Sequence, residues 1–253
     1  MKKVAIITGA SSGIGKEFAL QIDKNFNSID EIWLIARRED RLEELRYEIN
    51  KSCLVFCEDI AEEGFKDRFI KILKQEKPNV KMLINCAGYG IYGNAIEESI
   101  EVEKGMIDVN CTALTVMTLA TIPYMTKNSR IINMASSAGF LPQPDFSVYA
   151  ATKSYVLSFS RSLNRELREK DIFVTAVCPG PVMTEFFTIA EKGKEKPAWK
   201  EMFMVDAKDV VKLAIKDSIN KKELSVYGVA MKLFLFITKV LPHKLILDFY
   251  TSK

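Results

Sequence analysis

Short apolar runs suited to buried strands alternate with helical stretches along most of this 253-residue chain. Val4–Thr8, Glu31–Ala36, Leu54–Cys57, Met82–Asn85, Arg130–Ala135 and Phe173–Cys178 read as strands. Helical patterns fill the gaps at Ile14–Phe26, Asp40–Asn50, Phe65–Lys74, Val102–Met125 and Tyr149–Glu169. Parallel neighbours need crossover connections, which helices supply. This order therefore predicts a doubly wound parallel α/β sheet with helices on both faces. In such sheets ligands bind beyond the carboxyl ends of the strands. Gly9, Asp59, Asn85, Ser136 and Pro179 all fall just past a strand.

The length suits one large domain, and 48% apolar residues supply a substantial core. A net charge of +3 is too small to argue for a nucleic-acid partner. The cysteines (Cys53, Cys57, Cys86, Cys111, Cys178) are odd in number and form no C-x-x-C pair, and His243 is the only histidine. That argues against a His/Cys metal site and for reduced thiols in the cytoplasm. Met1-Lys-Lys followed by Val4–Ile7 is too brief for a signal peptide and runs straight into glycines, as a first strand entering a phosphate loop does. We divide the chain into residues 1–223, a dinucleotide-binding and catalytic unit, and 224–253, an apolar extension.

Gly9, Gly13 and Gly15 stand between the first strand and the first helix, with Ser11, Ser12 and Ile14 among them. Glycines there permit a tight turn and close approach to a pyrophosphate, whose charge suits a helix N-terminus. The spacing is not G-x-G-x-x-G, so the rival reading of an ordinary strand-to-helix turn stays open on this loop alone. The second strand ends in Ala36-Arg37-Arg38. A reader of a ribose 2′-hydroxyl would carry Asp or Glu near this point, whereas a 2′-phosphate wants a guanidinium. This favours NADP(H) over NAD(H), with Arg37 the preferred contact. Glu39 and Asp40 follow directly and could pair with the two arginines instead.

Tyr149 and Lys153 are four apart and share one face of a helix, where an ammonium can stabilise a phenolate. A phenol so tuned is a general acid or base for carbonyl chemistry. Joined to Thr8–Gly15, Asp59-Ile60, Asn85-Cys-Ala-Gly88, Asn110, Ser136 and Pro179-Gly180-Pro-Val-x-Thr184, the pair resembles the short-chain dehydrogenase/reductase family. The resemblance runs to about residue 215, and Arg37 with the Asp40–Leu45 run looks like its NADP-preferring carbonyl reductases and hydroxysteroid dehydrogenases.

The resemblance implies a Rossmann-type fold and a set of roles. Tyr149 would exchange a proton with the carbonyl oxygen, and Lys153 would hold the nicotinamide ribose and lower the phenol pKa. Ser136 would polarise the carbonyl, and Asn110 would hold a water linking Lys153 to solvent. Asp59 and Ile60 would meet the adenine, Asn85, Ala87 and Gly88 would line the cofactor, and Pro179, Gly180, Val182 and Thr184 would meet the nicotinamide. Each has a structural rival: Asp59 as a helix cap, Asn110 as a backbone-bonding residue in a kinked helix, Ser137 rather than Ser136 as a turn or cap residue. A homodimer or homotetramer is implied through Val102–Met125 and Tyr149–Glu169.

For substrate, Phe140, Leu141, Phe146, Phe186, Phe187, Trp199, Met202, Phe203 and Met204 are candidate pocket walls. They suit a lipophilic ketone, a steroid or an acyl-type compound. Thr184–Val205 reads as a flap. Leu224–Leu241 is strongly apolar but carries Lys232 and Lys239, so its charge-free stretches are too short to span a bilayer. It has three readings: a lid over the substrate mouth, a subunit interface, or a peripheral membrane contact. The competing function is a nucleotide-sensing regulatory protein on the same fold.

Overall fold

A computed structural model describes residues 1–190 and 204–251, with the side chains of the last two left out. Its strands are β1 (Lys3–Thr8), β2 (Glu31–Ala36), β3 (Ser52–Cys57), β4 (Asn79–Asn85), β5 (Met125–Met134), β6 (Phe173–Val177) and β7 (Leu224–Ser225). They form one sheet in the order β3-β2-β1-β4-β5-β6-β7, and every neighbouring pair is parallel. The order reverses between β1 and β4, which opens a crevice at their carboxyl ends.

The helices are α1 (Gly13–Asn25), α2 (Glu39–Glu48), α3 (Phe65–Glu76), α4 (Ile100–Ile107), α5 (Leu114–Thr121), α6 (Ser147–Glu166), α7 (Phe186–Ala190), α8 (Ala207–Ile219), α9 (Val229–Val240) and α10 (His243–Thr251). β1 and β2 are apolar without alternation because helices cover both faces, and each face carries its own core cluster. α1 turns Phe18, Ala19 and Ile22 onto one face, which packs beside Val210, Val211 and Ala214 of α8. The Ser99 hydroxyl caps α4 by accepting from the Val102 amide, and the Asp206 carboxylate caps α8 from Lys208.

Two sequence expectations change. Val102–Met125 is not one regular helix: α4 passes through a π-helical turn at Asp108–Ala113 into α5, which ends at Thr121 before a 3₁₀ turn containing Pro123. The chain then enters β5 at Met125, earlier than the apolar run suggests, with a register irregularity opposite Val80–Met82. Leu224 and Ser225, at the start of the apolar extension, pair with Ala176 and Val177 before the chain leaves for α9.

Candidate active site

The loop after β1 is shaped by two glycines at positive φ, Gly9 (+68°) and Gly13 (+51°), and by one contact that excludes any side chain. A Cβ on Gly15 would lie 2.2 Å from the Gly9 carbonyl oxygen. The result is a bare backbone cradle leading into the N-terminus of α1, suited to a pyrophosphate. Thr8 Oγ1 accepts from the amides of Cys86 and Ala87, both at 3.1 Å, and so ties the ends of β1 and β4 together. Ser12 precedes α1 but makes no capping bond; its hydroxyl instead accepts from Arg38 Nη2 at 2.7 Å.

The two arginines separate. Arg38 also donates to Ser11 Oγ (3.2 and 3.3 Å) and, through Nη1, to Glu185 Oε2 at 2.8 Å. Arg41 grips the other oxygen of Glu185. Arg37 instead leans towards Asp59 Oδ2 at 3.5 Å, with its side chain 72% exposed. The partner of Arg38 is therefore Glu185 and not the adjacent Glu39 or Asp40. Nothing in the sequence pairs residues 147 positions apart. Asp59 is not the cap of α3, which begins after Gly64; its carboxylate accepts from the Ala61 amide in a turn of its own. Ile60 packs, partly buried, against the core.

Across the crevice, Asn85 donates to Thr118 Oγ1 (3.0 Å) and Asn133 Oδ1 (2.8 Å), while its own carbonyl oxygen is buried without a protein partner. Ala87 backs onto Gly9, where a Cβ would come within 2.8 Å of the Ala87 nitrogen. Asn110 is fully buried in the π-helical turn. Its side chain accepts from the Tyr89 amide (3.1 Å) and donates to the Tyr89 carbonyl (2.8 Å) and Thr152 Oγ1 (3.0 Å). Thr152 in turn donates to the Tyr149 carbonyl at 2.7 Å. The backbone-bonding role open to Asn110 is thus occupied, and it braces α6 one residue before Lys153. Gly88 fits between, since a Cβ there would stand 2.7 Å from Asn110 Oδ1 and 3.4 Å from Lys153 Nζ.

Ser136 lies close enough to Tyr149 for its hydroxyl to pull the phenol pKa downward. Ser136 rather than Ser137 caps the short 3₁₀ turn Ser137–Phe140, accepting from the Ala138 amide at 3.1 Å. Ser137 holds Pro179 through its amide at 2.9 Å. Burial pushes the Tyr149 phenol above its ordinary value, against the opposing pull of Ser136. Burial likewise lowers the Lys153 amine from 10.5 to about 8. Lys153 Nζ donates to the Met134 carbonyl at 2.9 Å and lies 5.5 Å from the Tyr149 ring centre. Burial, and not Lys153, sets the direction of the phenol shift in the protein without its cofactor.

Aromatic rings wall the phenol. Phe146 stacks on Tyr149 at 4.2 Å, Tyr92 on Phe146 at 3.8 Å, and Phe186 approaches Tyr149 at 5.4 Å. Gly90 lies against the same ring, and a Cβ on it would reach within 2.5 Å. The Tyr92 amide bonds the Ala190 carbonyl at 2.8 Å, closing α7 over this wall. Tyr92, Gly90, Thr152, Arg41 and Glu185 are the site residues that sequence reasoning missed.

Beyond β6, Val182 bridges to Val205, and the Thr184 methyl presses on Gly13. Gly180 admits Met231 of α9: a Cβ would meet its sulfur at 2.8 Å. α9 turns Met231, Phe234 and Leu235 inward beside Phe140 and Cys178. Leu141 is buried, Phe187 meets Phe186 edge-on, and Met204 is half-buried. Trp199, Met202 and Phe203 lie outside the described residues.

Comparison with known proteins agrees with this geometry. The family model for short chain dehydrogenases matches residues 3–195. An uncharacterized oxidoreductase of Staphylococcus epidermidis is 33% identical over 197 residues, covering 77% of this chain and 84% of the relative. An NADP-dependent 3-hydroxy acid dehydrogenase of Salmonella typhi is 31% identical over 201 residues, covering 78% and 80%. The solved short-chain dehydrogenase from Sphingobium yanoikuyae in complex with NADPH superimposes with a TM-score of 0.77 at 26% identity, covering 99% and 98%. Solved structures similar to this chain carry NADPH in one case and NADH in another. With a parallel sheet, a glycine cradle at its switch point and a tyrosine–lysine pair on the adjoining helix, this chain belongs to the short-chain dehydrogenase/reductase family, oxidoreductases acting on CH–OH and C=O groups.

Proposed function

We propose that this enzyme interconverts a carbonyl compound and a secondary alcohol with NADP(H), in the direction of reduction, using Tyr149 as the proton donor. The observation that carries the reading is the buried Tyr149 with Lys153 Nζ 5.5 Å from its ring and Ser136 beside it, and two guanidinium groups at the far end of the same crevice. The residues fit a dinucleotide: a bare glycine cradle, a buried Asn85 oxygen still lacking a partner, and arginines placed for a 2′-phosphate. That group supplies the hydride when bound. Gly9, Gly13 and Gly15 would hold its pyrophosphate, Asp59 and Ile60 its adenine, and Pro179, Gly180, Val182 and Thr184 its nicotinamide end.

The protein's part is position and charge. Ser136 Oγ donates to the substrate oxygen as negative charge grows there, and Tyr149 Oη delivers the proton. Lys153 holds the ribose, and protonated it offsets the charge left on the phenol. The aromatic wall of Phe146, Phe186 and Tyr92 excludes water and favours a lipophilic ketone, steroid or acyl-type substrate; resemblance to a 3-hydroxy acid dehydrogenase supports the last.

We also propose a homodimer or homotetramer formed through α4–α5 and α6, where Ile107, Leu119 and Tyr155 are exposed. α9 serves as a lid by its inner face. Its outer face, with Val229, Leu233, Phe236 and Val240 beside Lys232 and Lys239, suits a peripheral membrane contact.

The test is NADPH oxidation against a panel of ketones, steroids and 3-oxoacyl thioesters, with Tyr149→Phe as control. Turnover that falls by about 10²–10⁴-fold in the variant, with NADPH still bound, is the expected result. Tight NADPH binding with no turnover, unchanged by Tyr149→Phe, would favour a nucleotide sensor.

A further inference from the structure

Glu185 is the first residue after the Thr184 that presses on the phosphate loop, and its successor Phe186 faces the Tyr149 ring. Its carboxylate spans Arg38 and Arg41, one oxygen to each. Both guanidinium groups belong to the strand-end and helix that would meet the 2′-phosphate, and Arg38 is the one held by the Ser11 and Ser12 hydroxyls. The site is thus a nearly complete anion receptor already filled by an anion of the chain itself. Beside it lies a cavity of about 290 Å³, bounded by Ser12, Lys16, Arg41, Thr184 and Glu185, with room for a phosphate to enter.

We infer that Glu185 is an internal stand-in for the ribose 2′-phosphate, which displaces it from Arg38 on binding, so that this carboxylate sets how strongly the enzyme prefers NADP(H) to NAD(H). The inference rests on the NADP(H) reading above.

Electrostatics give the direction. The carboxylate and both arginine side chains are each about 40% exposed, so the bridge is a half-solvated ion pair of modest strength. A phosphate presents up to two charges and three oxygens to the same donors, so it wins the exchange, but only after replacing a partner already in place. Arg37, mostly exposed and only loosely associated with Asp59 at 3.5 Å, can join the phosphate without breaking a strong contact. NAD(H) places a neutral hydroxyl there and leaves the bridge intact. The bridge therefore penalises the phosphorylated cofactor selectively. The alternative is a purely architectural tie between α2 and the loop after β6, and that would act equally on both cofactors.

The test is direct binding of NADPH and NADH to the full-length protein and to Glu185→Gln, followed by nicotinamide fluorescence, with adenosine 2′,5′-bisphosphate and adenosine 5′-monophosphate as shorter probes. Glu185→Gln is expected to tighten NADPH and the bisphosphate about three- to tenfold and to leave NADH and the monophosphate within about twofold. NADPH binding that is unchanged or weakened in the variant overturns the inference while leaving the NADP(H) reading intact. A wild-type protein that prefers NADH defeats the NADP(H) reading. In that case a variant whose preference moves towards NADPH still supports Glu185 as the discriminating carboxylate, and one whose preference stays put overturns both.

Discussion

Replacing Lys153 by Met should stabilise the protein without its cofactor, and the gain should disappear as pH rises. The amine is almost fully buried, with a hydrogen bond to the Met134 carbonyl at 2.9 Å. Burial lowers its pKa from 10.5 to about 8. At about 1.36 kcal/mol per tenfold change in protonation, this corresponds to roughly 3 kcal/mol of cost for holding the charged amine in the fold. The sign follows from proton counting. Between about pH 8 and 10.5 the unfolded chain binds more protons than the native state, so native stability rises with pH through that window. Below it the cost is present in full. Met fills a similar volume, but removing the amine forfeits its hydrogen bond, worth about 1 kcal/mol. The net gain at pH 7 is therefore about 2 kcal/mol, shrinking towards pH 10.5. Urea unfolding of wild type and Lys153→Met, followed by far-ultraviolet circular dichroism at pH 7 and pH 10, measures both values at constant m. A variant no more stable than wild type at pH 7, or a difference that does not shrink with pH, refutes the reasoning.

Two further outcomes follow from the packing. Gly88→Ala drives a methyl to within 2.7 Å of Asn110 Oδ1 and 3.4 Å of Lys153 Nζ, so turnover should fall by more than about tenfold while the circular dichroism spectrum is retained; unchanged turnover would mean that these side chains need not be held so closely. Among the thiols, Cys57 alone is exposed, while burial raises Cys53 and Cys111 to about 11 and Cys178 to about 12. Titration with a chromogenic disulfide at pH 8 should show one fast thiol, lost in Cys57→Ser; two or more fast thiols would contradict the burial.

What could be read from the sequence depended on how local its cause is. Val4–Ile7 and Glu31–Ala36 announce themselves because a strand covered on both faces must be apolar without interruption. Tyr149 and Lys153 were legible as a pair through their spacing on one helix, and Ser136 through the family resemblance. A kink at Asn110 was open to the sequence, but its π-helical form was not, because its partners, the Tyr89 backbone and Thr152, lie far along the chain. β7 hid inside an apolar run that continues into α9, and only pairing with β6 distinguishes two strand residues from a helix. Glu185 was invisible for the same reason, since its meaning comes from Arg38 and Arg41, placed beside it by the crossover of the sheet. Local patterns specify elements; the contacts that tune the site join elements distant in sequence.

This division also explains the site's electrostatics. A tyrosine and a lysine on one helical face suggest an ammonium acting on a phenol, yet burial drives both groups towards neutrality, the phenol upward and the amine downward. The fold achieves this by covering Tyr149 with Phe146, Phe186 and Gly90 and by burying Lys153. Neutral groups are the cheaper occupants of such a cavity. A protonated Lys153 is then held at the expense of stability, as the Lys153→Met comparison measures, and the catalysis proposed for Tyr149 would draw on that charge beside it. Low-dielectric surroundings that make the charge costly to bury would also strengthen its action on a phenolate formed beside it. A stabilising substitution at Lys153 should for this reason be an inactivating one, and the two effects share a single physical origin.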